Sequence, residues 1–424
     1  MNNLAILKAI AICLSVFISI IYLYQGFYLI LPRLKKPKKA TACKQLRYAV
    51  LIAARNEEMV LPHLLDSIRA QDYPAELIDM YVIADNCTDN TAKVAADHGA
   101  TVFKRFNKKL IGKGYALNHL LAQIKTHIGW EQYDAFMIFD ADNLLEPDYF
   151  SKINTLPANG YQAFCGYRNT KNYGTNWLTS GYALWYLHES SHLNNSRSIL
   201  DTGCFVNGTG FGFSRQLLER LGGWHFFTLT EDLEFNNYCA SNGIKIGYCN
   251  DAILYDEQPL TFGQSWKQRT RWVKGGLQVS FKYVGSVLRG MGHRGWRGYT
   301  CFELFSISFW ALCFGTAASL FTFFVTACSF PSVPVFVFLW LCLGLCYFGI
   351  CLLGAYTVAH EWKRIRATTK EKLVSIFTFP LFLATYVPIT LCAFVTKCKW
   401  DPIAHTVAIS TMDLIKEKQE TASH

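Results

Sequence analysis

The chain is expected to be an α/β protein with a mostly parallel sheet, joined to transmembrane helices. Three observations lead there. Charged residues make up only 17% of the 424-residue chain, against a usual share of about 25%. The apolar excess is concentrated before residue 32 and after residue 301. Between these ends, short apolar runs alternate with segments of helical periodicity, the pattern of strands that pair in parallel with helices on both faces.

The first element is the nearly uncharged run Ala9–Leu31, long enough to cross a hydrocarbon core of ~30 Å as a helix. A secretory signal would have a shorter apolar region ending in a small-residue cleavage site. Here the run ends in Pro32-Arg33-Leu34-Lys35-Lys36-Pro37-Lys38-Lys39, so a retained anchor is expected. Its basic flank places that side in the cytoplasm. Residues 1–32 are therefore assigned as the anchor.

Residues 44–260 form the polar unit. Tyr48–Ala54 is a short apolar run suited to a strand buried on both faces. Val60, Leu61, Leu64, Leu65 and Ile68 then recur at helical spacing. Ile78–Ala84 is a second strand, and Thr88 or Asp89 can cap the next helix, which stops at Gly99. Thr101–Phe106 is a third strand, residues 112–124 a helix, and Ala135–Phe139 a fourth strand. In such sheets ligands bind beyond the carboxyl ends of the strands, which here end in Arg55-Asn56-Glu57-Glu58, Asp85-Asn86 and Asp140-Ala141-Asp142-Asn143. No P-loop occurs, and Gly208-x-Gly210-x-Gly212 lacks the spacing of a dinucleotide fingerprint.

Residues 261–300 carry Trp266, Trp272, Val273, Leu277, Val279 and Phe281 beside Lys267, Arg269, Arg271 and Lys274. That combination suits an amphipathic helix at a membrane surface. Residues 301–396 hold three further apolar stretches, near residues 305–330, 333–359 and 373–395. The basic segment His360–Arg366 separates the second from the third. The third contains Pro380 and Pro388 between basic flanks (Lys370, Lys372; Lys397, Lys399), so a single crossing and a Pro-broken hairpin both remain open. Residues 397–424 are a short tail.

The net charge of +10 is mostly accounted for by flanks facing an anionic leaflet. No basic-aromatic patch stands apart from them, so a nucleic-acid partner is not expected. Of fifteen cysteines, none forms a CxxC pair, which argues against zinc and thioredoxin chemistry. Cys43, Cys87, Cys165, Cys204, Cys239 and Cys249 read as thiols of a reducing compartment. The sequons at Asn86, Asn194 and Asn207 would matter only if the polar unit lay outside.

Several residues carry candidate chemistry. Asp140 and Asp142, where a buried strand meets solvent, can share Mg²⁺ or Mn²⁺ together with substrate phosphates, and such an ion offsets charge on a departing diphosphate. The competing reading is a strand-end turn that caps a helix. Asp85 can accept the imide N–H of a uracil ring, or simply cap. Lys113 follows a glycine at a helix start, a position that offers N–H groups and a cation to an anion; a solvated lysine is the alternative. Glu231 and Asp232 open a helix, where acids are common, yet a carboxylate there could take the proton of an attacking hydroxyl. Arg271 could bind phosphate and Trp272 could stack on a sugar, or both could belong to an interfacial helix only.

Taken together and in this order, these motifs resemble the processive family-2 glycosyltransferases, which include the cellulose, hyaluronan and poly-N-acetylglucosamine synthases. The matching residues are Ala53-Ala54-Arg55-Asn56-Glu57, residues 82–91, Gly112-Lys113-Gly114, Asp140-Ala141-Asp142, Asn207-Gly208-Thr209-Gly210, Thr230-Glu231-Asp232 and Gln268-Arg269-Thr270-Arg271-Trp272. The resemblance spans about residues 44–276. It implies a GT-A domain on the cytoplasmic face of the cell membrane and inverting transfer from a UDP-sugar, UDP-GlcNAc or UDP-Glc. It implies donor contacts at Ala53, Glu57, Asp85, Lys113, Asp140 and Arg271, and metal–diphosphate binding at Asp142 with Asp140. It implies Asp232 as base with Glu231 beside it, and an acceptor site at Gly208, Thr209, Gln268 and Trp272. The sugar-selective pocket is expected near Arg168 or Trp185. The chain departs from the pattern at Ala84, where many members carry a second aspartate, and in having four spans where relatives tend to have more. The function expected is extension of a β-linked polysaccharide, with export completed by a homo-oligomer or an accessory protein. The alternative is single transfer to a polyprenyl phosphate or diacylglycerol. A non-catalytic receptor on the same fold is a third reading.

Overall fold

The computed structural model describes residues 3–37, 41, 44–398, 405, 407–410 and 413; Lys38, Lys39, Cys43 and Lys399 lie outside the described residues. Eight strands form one sheet: β1 (Tyr48–Ala54), β2 (Ile78–Asp85), β3 (Thr101–Arg105), β4 (Ala135–Asp140), β5 (Leu144–Leu145), β6 (Ala163–Thr170), β7 (Phe211–Ser214) and β8 (Ile246–Asp256), in the order β3-β2-β1-β4-β7-β6-β8-β5. The pairings make β7 and β5 the reversed strands and leave the others running one way. The four strands expected from the sequence are present with nearly the expected ends.

Side chains alternate across the pleat, and both faces are covered. Ala49, Leu51, Ile83 and Ile138 pack under the helix Lys113–His127, whose Ala116, Leu117, Leu120, Leu121 and Ile124 are buried. Val50, Ile52, Met137 and Phe139 face the helix Leu61–Arg69 through Leu61, Leu64, Leu65 and Ile68. A sheet sealed on both faces exposes chemistry only at its rim. The register pairs Ala53 with Asp140, Ala54 with Ala84 and Asp85 with Arg105, so the polar strand ends share one edge. Reversed β7 delivers the Gly208–Thr209–Gly210 turn to that edge: Gly210 N–H donates to the Ile138 carbonyl at 3.0 Å.

Beyond the sheet, the helix Phe262–Met291 is followed by Trp296–Ser306. Among the described residues four helical stretches are long and apolar enough to cross a membrane: Asn3–Leu34, Phe309–Ser329, Val335–His360 and Thr369–Val395. The last is two helices, Thr369–Ala384 and Tyr386–Val395, meeting at Thr385. The interface helices are tied to the sheet domain by a buried ion pair, Arg197–Glu303, at 3.3 Å. Arg269, expected as a basic residue of the amphipathic surface helix, is fully buried. Its guanidinium lies 4.6 Å from the Phe382 ring centroid and 4.9 Å from that of Tyr386, which clamps Thr369–Val395 onto the interface helix through cation–π contact.

Candidate functional site

Asp140 and Asp142 leave β4 in two directions. Asp140 is held by its own N–H, which donates to Thr209 Oγ1 at 2.9 Å and Asn143 Oδ1 at 3.1 Å. Its carboxylate accepts from Lys113 Nζ at 2.5 Å. Lys113 also donates to the Gly208 carbonyl at 2.6 Å and stands 4.0 Å from Glu231. The lysine is therefore a bridge between three elements. Burial works against its charge, but Asp140 and Glu231 outweigh that and hold its pKa above the ordinary value. Gly208 adopts φ +77°, a left-handed conformation that glycine takes at little cost. A β-carbon there would stand 3.9 Å from Asp232 Oδ2, so the turn closes against the helix carrying the acids.

Glu231 and Asp232 open the helix Glu231–Ser241. Glu231 is buried, and burial pushes its carboxyl up to about 7, against the pull of Lys113 and with Asp232 adding to the rise. Asp232 is half-buried, and its pKa is raised by burial too, opposed by the Leu233 N–H and Lys113. Arg271, on Phe262–Met291, donates to the Leu229 carbonyl at 3.2 Å and is close enough to both acids to draw their pKa values down. The sequence-predicted residues Lys113, Asp140, Gly208, Thr209, Glu231, Asp232 and Arg271 thus converge on one rim.

Asp142 lies on the other side of the strand end. It is buried, its Oδ2 accepts from the Glu257 N–H at 3.2 Å, and burial raises its pKa. Glu57 and His405 stand beside it. A corner holding Glu57, Asp142 and Glu257 offers hard oxygen donors and an excess of negative charge, which fits Mg²⁺ or Mn²⁺. Among the described residues no three His, Cys, Asp or Glu side chains form an ion cage by themselves.

The remaining predicted residues are dispersed. Ala53 abuts Asp140 across the β1–β4 ladder. Asp85 is buried and ion-paired with Arg105 at 2.5 Å. Trp272 is part-buried, edge-on to Tyr182 at 5.8 Å. Gln268 Oε1 is buried without a hydrogen-bond partner among the described residues.

Sequence reasoning missed a second layer. Asp256, at the end of β8, pairs with Arg168 and accepts from Asn143 Nδ2 at 2.9 Å and Gln258 Nε2 at 3.0 Å. Burial pushes its carboxyl to about 6 against Arg168. Arg168 also donates to the Asn207 carbonyl at 2.7 Å, which ties β6 to the Gly208 turn. The available signal was the acidic end of an apolar run, Asp256-Glu257 after residues 252–255.

Residues 46–275 match the family model described as glycosyltransferase-like family 2. A probable glycosyltransferase of Bacillus subtilis is 26% identical over 264 residues, covering 60% of this chain and 61% of the relative. A β-monoglucosyldiacylglycerol synthase of Synechocystis is 26% identical over 242 residues, 55% of this chain and 48% of the relative. A poly-β-1,6-N-acetyl-D-glucosamine synthase of Staphylococcus epidermidis is 26% identical over 233 residues, 54% of each chain. The match thus spans about half to three-fifths of these relatives. A mannosyltransferase from Pyrobaculum calidifontis, solved with GDP-mannose and Mn²⁺, superposes with a TM-score of 0.56 at 20% identity, covering 91% of this chain and 99% of that one.

Proposed function

The chain belongs to glycosyltransferase-like family 2, and from that membership we propose that it moves one sugar, with inversion, from a UDP-sugar to a lipid acceptor at the membrane surface. Asp232 takes the proton of the acceptor hydroxyl. The freed oxygen bonds to the anomeric carbon, the bond from that carbon to the β-phosphate oxygen breaks, and UDP leaves with the electron pair. Lys113 keeps Asp140 and the Gly208 turn in place and partly balances the Glu231–Asp232 charge. Arg271, whose guanidinium donates to the Leu229 carbonyl, is the candidate cation for the diphosphate, and Asp85 is the candidate contact for uracil. Asp142, with Asp140 near it, would hold a divalent cation, which when bound would offset charge on the leaving diphosphate.

One observation carries the choice of acceptor. A cleft of about 650 Å³ is lined by Leu233, the chain neighbour of Asp232, and by Val273, Leu277, Phe309, Leu391 and Phe394 of the helix Phe262–Met291 and the apolar helices. Its walls are mostly apolar, aliphatic and aromatic, which supports an acyl or polyprenyl chain as the occupant. The glucosyldiacylglycerol synthases among the relatives agree with a lipid acceptor. The Gln-x-x-Arg-Trp motif and the poly-N-acetylglucosamine synthases favour a growing polysaccharide instead. That reading would need a second copy or an accessory export protein to complete a path through four spans. In either case the basic residues Arg33, Lys35 and Lys36 after the first span support a cytoplasmic catalytic domain. Protein purified in detergent is expected to release UDP from UDP-GlcNAc or UDP-Glc when Mg²⁺ or Mn²⁺ is supplied. Equal turnover in EDTA would remove the cation from the account.

A further inference from the structure

Among the described residues that line the cleft beside Asp232 there is no aspartate, glutamate, lysine, arginine or histidine. The polar groups of its wall are uncharged, the amide of Asn237 and hydroxyls such as those of Ser280, Ser308 and Thr390. Leu312, Val387, Leu391 and Phe394, on helices apolar enough to cross a membrane, stand exposed along it. A long apolar chain therefore meets apolar surface, and a headgroup lying toward Leu233 meets only neutral hydrogen-bonding groups of the wall.

Cations close by are engaged elsewhere. On the helix Phe262–Met291, Lys274 Nζ donates to the Ala393 carbonyl at 3.1 Å and Lys282 is paired with buried Glu234. Arg269 is fully buried against the Phe382 and Tyr386 rings, and its Nη1 donates to Thr385 Oγ1 at 2.7 Å. Lys113 is held by Asp140 and the Gly208 carbonyl. A charge taken into apolar surroundings without a partner is strongly disfavoured. The acids beside Leu233 add to that penalty. A phosphate monoester carries a charge of about −1.5 to −2 at neutral pH, and here it would be set against the adjacent carboxyls of Glu231 and Asp232. Its oxygens are also ionised already, so it has no need of a base. A hydroxyl is neutral, and it becomes a strong nucleophile when a base takes its proton.

We propose that the acceptor is an uncharged lipid with a free hydroxyl, the chemistry shared by a diacylglycerol and a polyprenol, and that the cleft and the acid pair together exclude lipid phosphates. This rests on the reading of the cleft as the place of the acceptor chain. The hydroxyl lies at Asp232 and the chain runs along Val273, Leu277 and Phe309. Asp232 takes the hydroxyl proton as the oxygen bonds to the anomeric carbon, and UDP leaves with the electron pair of the broken bond. The product is a neutral lipid glycoside and not a glycosyl phosphate.

The test offers the full chain in detergent, with Mn²⁺ and radiolabelled UDP-GlcNAc or UDP-Glc, a diacylglycerol, a polyprenol, or the phosphate of that same polyprenol. The last two differ only in the phosphate. kcat/KM for the better of the two alcohols is expected to exceed that for the phosphate by at least about 100-fold, because like charges set against each other suppress a wrong ligand strongly. Which alcohol is faster identifies the source. Equal or faster transfer to the phosphate overturns the proposal and leaves the lipid reading standing, whereas label carried only by an added oligosaccharide removes both. Membranes holding the native acceptor give a second measurement, since mild acid frees the sugar of a glycosyl phosphate and spares a glycoside. The labelled lipid is expected to survive the acid; loss of its label would overturn the proposal.

Discussion

Glu231 and Asp232 are adjacent acids that burial pushes toward the neutral form, with Lys113 the nearest opposing charge. A base must be ionised to take a proton, so the pair makes a prediction about pH. kcat/KM for transfer is expected to rise with pH through about 7, where Glu231 titrates, and to level off above it as the pair becomes fully ionised. Glu231→Gln removes a like charge beside Asp232, which lowers the pKa of Asp232. The acid limb of the pH profile is then expected to move to lower pH; a limb that stayed in place would show that this pair does not set it. Asp140, Asp232 and Lys113 stand out in the sequence because strand ends and helix starts are visible as breaks in periodicity, but taken singly each reads at least as well as a strand-end cap, a helix-start acid or a surface lysine. The partners that use up their charges were not visible. Nothing in the spacing shows that Lys113 bridges Asp140 and the Gly208 carbonyl, or that Asp85 is paired with Arg105; such contacts join residues from separate elements.

At the scale of elements, the site depends on how closely the helix Lys113–His127 and the loop before Glu231–Ser241 approach. A β-carbon on Gly114 would lie 2.0 Å from the Phe226 carbonyl oxygen. Gly114→Ala is therefore expected to push the two segments apart and to destabilise the domain by about 1–3 kcal/mol, the usual cost of overpacking. A lowered melting temperature and a fall in transfer together would bear this out, and an unchanged melting temperature would not. The strands β1 to β4 were legible because each is a short apolar run bounded by polar residues. The later strands were harder to read: β7 has only four residues, Phe211–Ser214, and β6 continues into polar residues, Arg168-Asn169-Thr170. Their positions are set by pairing across the sheet. The tail has no periodicity to read, and only the contacts of His405 with Glu57 and Asp142 show where it lies.

At the scale of the whole molecule, the site sits where a sheet domain meets apolar helices, and the account depends on the cleft that joins them. The four apolar stretches were plain in the sequence, since hydropathy alone marks them; the cleft lined by two of them together with the helices Glu231–Ser241, Phe262–Met291 and Trp296–Ser306 was not, because it is a space and no residue encodes it. Gly276 lines it, and a β-carbon there would meet only Leu233, at 3.9 Å. Gly276→Leu is expected to fill the cleft, raising KM for the lipid acceptor while leaving the slow release of UDP without acceptor unchanged. Equal effects on both would mean that the cleft does not hold the acceptor. The most direct test of the central claim follows radiolabelled sugar from donor to product, in membranes and with purified protein, and sizes what carries the label. The account predicts a solvent-extractable lipid bearing one sugar, formed by the wild type and reduced at least about 100-fold in Asp232→Asn, the lower end for loss of a general base. A ladder of polymer, or undiminished transfer by Asp232→Asn, would contradict it.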